Sequence, residues 1–340
     1  MITVTLYSRK DCHLCDQAIE DLNSLREQIP HELLVVDIDG NRDLDRAYGS
    51  EIPVVEAGPY TLKAPFTRED LAMTLNAATD RARDLESIHG DAYQARLERG
   101  WKVTSSDRFS YWLSSHYMAV FNLLVLVYFG LPFLAPVLMV NGVTGPANLL
   151  YKAYGAVCHQ FAFRSFFLFG EQPVYPRSAA GVSGLIPYGA ATGMDEGDVL
   201  AARSFIGNPV LGYKVAICER DLAIYGGILL FGLVFALANH RIKSLPWYFW
   251  ILIGIFPIAL DGFSQLFSQP PFNAIPPLNL LNYRESTPYL RVLTGLLFGI
   301  TTAWFGYPIV EETMADTRRY MAAKIARVRG AVSQGTWRGV

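Results

Sequence analysis

The sequence predicts two modules of different class: a small α/β domain, then an all-α polytopic membrane domain of four spans plus one half-buried or re-entrant helix. Three observations carry this reading. Residues 1–100 hold 11 Lys and Arg against 19 Asp and Glu, whereas residues 101–340 hold 18 against 12. Only the second part contains apolar stretches that meet the ~20 residues a bilayer requires. A Cys-x-x-Cys, formed by Cys12 and Cys15, lies between a strand-like and a helix-like segment of the first part. The boundaries follow as an α/β domain at 1–80, a charged helical linker at 81–115, a membrane domain at 116–312 and a basic cytosolic tail at 313–340. Dispersed basic residues exclude a nucleic-acid surface. Four cysteines are too few for a disulfide-stapled scaffold.

In the first module, residues 2–7 (ITVTLY) read as a strand. Its strand-like, soon-charged opening lacks the character of an export signal, so this module is expected in the cytosol. From Cys15, Ala18, Ile19, Leu22 and Leu25 recur at helical period and stop near Pro30. Residues 33–38 (LLVVDI) are apolar without alternation, as in a buried parallel strand. A short helix at 43–48, a hairpin at 52–55 and 60–63, and a helix opened by Thr67 complete the order β-α-β-α-β-β-α.

The strand-to-helix junction is where a cysteine pair becomes reactive. Unpaired amides and the helix dipole stabilise a thiolate there. Cys12 is therefore the expected nucleophile and Cys15, facing into the helix, the resolving thiol. His13 adds positive charge when protonated. Ile52-Pro53 precedes a strand, and a cis bond there is expected to set Pro53 and its backbone opposite the cysteines.

These residues, LYSRKDCHLC, VVDID and IPVV in order, resemble the glutaredoxin-like branch of the thioredoxin superfamily across residues 2–80. The resemblance implies a thioredoxin-like fold and thiol-disulfide exchange. His-Leu stands between the cysteines where ordinary glutaredoxins carry Pro-Tyr, which leaves glutathione use open.

In the second module, no Asp, Glu, Lys or Arg occurs between Arg108 and Lys152, and residues 117–140 are long enough to span. Further spans are predicted at 222–239, 245–267 and 290–310. Residues 151–169 are apolar but carry His159, Gln160 and Arg164, hence the half-buried or re-entrant helix. Gly295 and Gly299 form a G-x-x-x-G that lets a neighbouring helix approach. Basic residues before the first span, between the second and third and after the fourth predict both termini on the cytosolic side. The tail from Arg318 is expected to lie on anionic lipid.

That topology gathers the ionisable residues near the membrane at its outer side. Cys218 and Arg220 precede the second span. Asp261 and Gln265 share one face of the third. Arg284, Glu285 and Arg291 open the fourth, and Cys158, His159, Gln160 and Arg164 lie in the outer segment. Charges near lipid are costly and usually face a pocket or partner.

The pattern Cys158-His159-Gln160, Arg164-Ser165, Cys218-x-Arg220 with Tyr225, Asp261-Gly262-x-x-Gln265, Arg284-Glu285-Ser286 and Leu290-Arg291 also resembles an uncharacterised family of prokaryotic integral membrane proteins. The resemblance implies a cytoplasmic-membrane location and no established activity.

Several chemistries fit this constellation. Cys158 and Cys218 can pair as a dithiol or disulfide. Cys158, His159 and Cys218 can bind zinc, with Asp261 beside them. Arg164, Arg220, Arg284 and Arg291 can hold a lipid phosphate. A salt-bridged cluster serving structure alone is the fourth reading. The whole is expected to be a membrane-tethered thiol-disulfide oxidoreductase whose partners are lipid and a thiol or disulfide protein or glutathione. The alternative is a zinc- or lipid-phosphate-binding membrane protein with an accessory redox domain. Oligomeric state is not encoded in any feature above.

Overall fold

A computed structural model describes residues 1–335. The chain divides into two compact units, Met1–His116 with the segment from Glu312 onward, and Tyr117–Glu311.

The first unit is built on a four-stranded sheet of order β2-β1-β3-β4. Strand β1 (Ile2–Ser8) pairs parallel with β2 (His31–Asp37) and antiparallel with β3 (Val54–Ala57), which continues antiparallel into β4 (Tyr60–Lys63). Helix α1 (His13–Leu25) makes the crossover between β1 and β2, and α2 (Arg42–Tyr48) precedes β3. Asn41 caps α2 by accepting the Asp43 and Leu44 amides at 2.9 and 3.3 Å. Thr67 and Asp70 form a capping box that starts α3 (Arg68–Gly100). This helix runs through the region expected as a linker and kinks at His89 (φ −130°, ψ 16°).

Strand alternation gives the sheet two apolar faces. Val4, Leu6, Val55 and Ala57 pack on one face with Leu22 of α1 and Leu71 and Leu75 of α3. Tyr7, Val36 and Val54 pack on the other with Leu44 and Tyr48 of α2. That second face is also covered by Ala322, Ala323 and Ala331 from the end of the chain. The tail expected on lipid thus turns its alanine face to the β-sheet, because small side chains let a helix lie close to a sheet.

Four helices are long and apolar enough to cross a membrane: α4 (Ser105–Val140), α8 (Glu219–Leu237), α9 (Trp247–Phe267) and α10 (Pro288–Ser333). They contain the four predicted spans. Helices α4 and α10 extend well beyond the apolar stretches, since charge ends a hydropathy window without ending a helix. A π-helical turn at Trp250–Ile255 precedes Pro257 in α9, where the ring removes an amide from the regular ladder.

Between α4 and α8 the structure departs from an all-α domain. Helix α5 (Thr144–Gly155) ends early in the stretch 151–169, which is not the half-buried or re-entrant helix expected. A 3-10 turn follows, then β5 (Ser165–Leu168). After the short α6 (Tyr188–Thr192) and α7 (Val199–Ser204) come β6 (Gly207–Asn208) and β7 (Gly212–Cys218), which join β5 in a sheet of order β5-β7-β6. A short apolar run has no periodicity to separate strand from helix, and the partner of β5 lies far along the chain.

The acidic loop at 195–198 (DEGD) contributes caps and local bonds here. Glu196 accepts the Ser178 and Gly189 amides at 2.9 and 3.1 Å, and Asp198 caps α7. Helices α8 and α10 meet through the predicted G-x-x-x-G. A Cβ at Gly295 would fall 2.6 Å from the Arg220 carbonyl oxygen, and one at Gly299 would collide with the Ile224 carbonyl oxygen.

Candidate functional site

Cys12 is the N-cap of α1 and sits half-buried at the end of the β1–α1 turn. Its sulfur accepts the Cys15 amide at 3.3 Å. Cys15 is fully buried in the first turn of the helix. The two are joined as a disulfide with Cα atoms 5.2 Å apart. His13 and Leu14 between them are exposed, so the pair is flanked by an imidazole and an open apolar side chain. The Ile52-Pro53 bond is cis, the isomer expected from the sequence.

The second unit brings Cys158 and Cys218 together although 60 residues separate them. Strand β7 delivers Cys218 to the start of α8, where it is the N-cap. The Cys218 amide donates to the Cys158 sulfur at 3.4 Å, and the Asp221 amide donates to the Cys218 sulfur at 3.5 Å. The two sulfurs and a carboxylate oxygen of Asp221 lie within 4.8 Å of one another. A hydrogen bond from the Cys218 thiol holds the Cys158 thiol below the ordinary cysteine range. The same bond, with burial, pushes the Cys218 thiol well above it. Two thiolates and a carboxylate are also a donor set that suits zinc.

His159 does not belong to this group, which corrects the expected ligand set Cys158, His159 and Cys218. Its ring is exposed and lies 5.4 Å from that of Phe161. Beyond α5 the chain is no longer helical, and Cys158 turns inward while His159 stays exposed. Asp221 occupies the third place instead. Gln160 is buried and donates to the carbonyls of Tyr151 and Ala216 at 3.1 and 2.6 Å, tying α5 to β7. Tyr225 belongs to the same apolar cluster as the two cysteines and packs on Tyr128, ring centroids 4.4 Å apart.

The remaining predicted residues form a buried ionic cluster around two carboxylates. Asp261 accepts from Arg284 at 2.7 Å, from the Ser286 hydroxyl at 2.7 Å and from Arg220. Glu285 accepts from Arg164 at 3.1 Å, Arg177 at 3.3 Å, Gln265 at 2.8 Å, Gln269 at 3.1 Å and Arg291. Arg291 reaches Glu219 at 3.4 Å. Burial alone would raise the Glu285 carboxyl, but Arg164, Arg291 and Arg177 overcome it and hold it below the usual carboxylate range. Arg164 is itself lowered, chiefly by burial. Every arginine chosen for phosphate already faces a carboxylate, which is the geometry of the salt-bridged reading.

Sequence reasoning missed Arg177, Glu219, Asp221 and Lys214. Asp221 had a signal, three residues after Cys218 in the first turn of α8. Arg177 had none, since its partner Glu285 is 108 residues away. Lys214 is buried, donating from Nζ to the carbonyls of Gln160 and Arg203 at 2.8 and 2.6 Å. Burial lowers it to about 7. It lines a cleft of about 630 Å³ together with Lys152, Arg203, Tyr151 and Gln160.

Comparison with known proteins matches residues 3–76 to a glutaredoxin-like domain (DUF836) and residues 199–305 to a predicted membrane protein (DUF2085). The chain is 25% identical over 209 residues to the uncharacterized protein MJ1492 of Methanocaldococcus jannaschii, covering 59% of this chain and 96% of that one. It is 40% identical to the structural-genomics target protein XcR50 from X. campestris, whose solved structure covers 22% of this chain and 96% of its own, with a TM-score of 0.20. The chain thus joins a glutaredoxin-like domain at its N-terminus to a predicted membrane protein domain at residues 199–305.

Proposed function

We propose that the chain is a membrane-tethered thiol-disulfide oxidoreductase with Cys12 as attacking thiolate and Cys15 as resolving thiol. The supporting observation is the asymmetry of the pair. Cys12 caps a helix N-terminus and reaches solvent, while Cys15 is fully enclosed. A thiolate at Cys12 is stabilised by the Cys15 amide and the helix dipole. It attacks one sulfur of a partner disulfide and expels the other as a thiolate. Cys15 then attacks the Cys12 sulfur, releasing the second partner thiol and leaving the Cys12–Cys15 disulfide. Partner classes are a protein disulfide or glutathione, met beside exposed His13 and Leu14.

Arginines and lysines at 96–108, 241–243 and 318–329 favour both termini on the cytosolic side of a cytoplasmic membrane. On that topology the Cys158–Cys218 group and the Asp261–Glu285 cluster belong to the outer side, and the cluster organises the segments that carry them.

The test is reduction of insulin or a small aromatic disulfide by the detergent-solubilised chain carrying Cys158→Ser and Cys218→Ser, so that only the Cys12–Cys15 pair reports. Cys12→Ser is expected to abolish turnover, and Cys15→Ser to stop at a mixed disulfide on Cys12. Turnover surviving in Cys12→Ser would remove this assignment.

A further inference from the structure

We infer that Cys158 and Cys218 form a second dithiol–disulfide exchange centre, one that reacts with an anionic low-molecular-weight disulfide. Nothing in the spacing of these cysteines suggests a pair; the β5–β7 sheet and the entry to α8 assemble it. Cys218 repeats the local construction of Cys12. Each is a helix N-cap whose sulfur accepts the amide three residues on, at 3.5 and 3.3 Å respectively. The second pair differs in drawing its two thiols from separate elements, so its closure joins the 3-10 side of β5 to the start of α8.

Roles within the pair follow from its hydrogen bonds. The Cys158 sulfur accepts the Cys218 amide at 3.4 Å, a contact that favours a thiolate there, and the attacking role is assigned to it on that geometry. Buried Lys214 adds favourable charge beside it when protonated. The Cys158 thiolate attacks one sulfur of the incoming disulfide, forming a mixed disulfide and expelling the other half as a thiolate. Cys218 gives its proton to the nearby Asp221 carboxylate and attacks the Cys158 sulfur. The second half leaves as a thiolate, and the Cys158–Cys218 disulfide remains. Two electrons pass from the cysteines to the disulfide, which is the oxidant.

The preference for an anion comes from the neighbouring cleft. Ala156 and Gln160, which flank Cys158 in sequence, line it together with Lys152, Arg203 and Lys214, and among the described residues no carboxylate lines it, Asp221 beside the sulfurs lying outside it. A small disulfide bearing carboxylates would set them among these cations.

The experiment uses the full chain in detergent carrying Cys12→Ser and Cys15→Ser, so that only the second pair reports. It is incubated with glutathione disulfide, alkylated and mapped by peptide mass spectrometry. The expected result is a cross-linked peptide pair containing Cys158 and Cys218, with loss of both alkylation sites. Adding Cys218→Ser should leave glutathione on Cys158. Cationic cystamine should react roughly two- to fivefold more slowly, the scale of exposed charge contacts. The unsubstituted chain is mapped in parallel, where a 158–218 link and a 12–15 link have different masses. Failure of one centre is therefore visible apart from failure of the other. Two cysteines that stay alkylatable after oxidation overturn the inference. So does protection by one zinc per chain that a chelator reverses. Cystamine reacting as fast as glutathione disulfide overturns the anionic preference.

Discussion

The Cys218 backbone amide donates to the Cys158 sulfur at 3.4 Å, so the residue that starts α8 is bound to one that follows α5. This contact couples the three-stranded sheet to the start of α8. It also places two thiols where either chemistry or closure of a loop can use them, and the predictions below test the framework that holds them there.

Replacing Asp261 by Ala leaves Arg220 and Arg284 without their shared counter-charge. Removing one partner of a fully buried ion pair typically costs ~3–5 kcal/mol, and the partial exposure of both arginines lowers the cost here. A thermal melt in detergent should fall markedly for Asp261→Ala. An unchanged melt would show that the arginines find solvent or another acceptor.

Glu285 is held low by its arginines, so its folded value lies below its unfolded one. Its contribution is present above the ~4.3 of a free glutamate and is lost as pH falls through the depressed folded value. Stability measured downward from pH 6 should therefore decline more steeply in the parent chain than in Glu285→Gln. Parallel curves would count against the assignment.

Lys214 has the opposite consequence at alkaline pH. Its folded value is lowered from 10.5 to about 7, so the unfolded state binds the extra proton between those limits. The penalty for burying the ammonium is fully present below about pH 7 and fades as pH rises toward 10.5. Stability of the segment around β7 should rise over that window, and Lys214→Met should flatten the rise. Hydrogen exchange of the β7 amides would read it.

Gly299 lets α8 and α10 approach until a Cβ would strike the Ile224 carbonyl oxygen. Gly299→Leu should separate the helices and lower the melting temperature, with overpacking costs of ~1–3 kcal/mol or more. Gly306, with open space around it, serves as the control. Equal effects at both positions would remove the packing argument.

Ala323 is buried among Tyr7, Val36 and Tyr48 on the second face of the sheet. Ala323→Asp would set an unpaired charge there and destabilise the glutaredoxin-like unit by ~2–4 kcal/mol. Protease resistance of the glutaredoxin-like unit is the readout. If resistance is retained, the end of the chain is dispensable for that face.

The first unit was largely legible because its signals are local. A strand-like run, helical apolar spacing and an unalternating apolar run place β1, α1 and β2, and Thr67 with Asp70 marks the start of α3 in four residues. The spans were legible because a bilayer demands length and apolarity together. The stretch 151–169 was not, since β5 is defined by hydrogen bonds to residues near 213–218 that no local pattern announces. His159 shows the same limit. Adjacency to Cys158 suggested a shared ligand site, but Cys158 is buried and the imidazole is exposed.

The sequence alone therefore determined that an acidic glutaredoxin-like module carries Cys12 and Cys15 and that four apolar helices follow. Both rest on short-range periodicity and composition. Only the tertiary structure decided which distant residues meet: Cys158 with Cys218 and Asp221, Arg177 with Glu285, and the terminal alanines with the sheet. Such pairings are set by strand register and helix packing across the chain, and a one-residue shift in either would send the same side chains elsewhere.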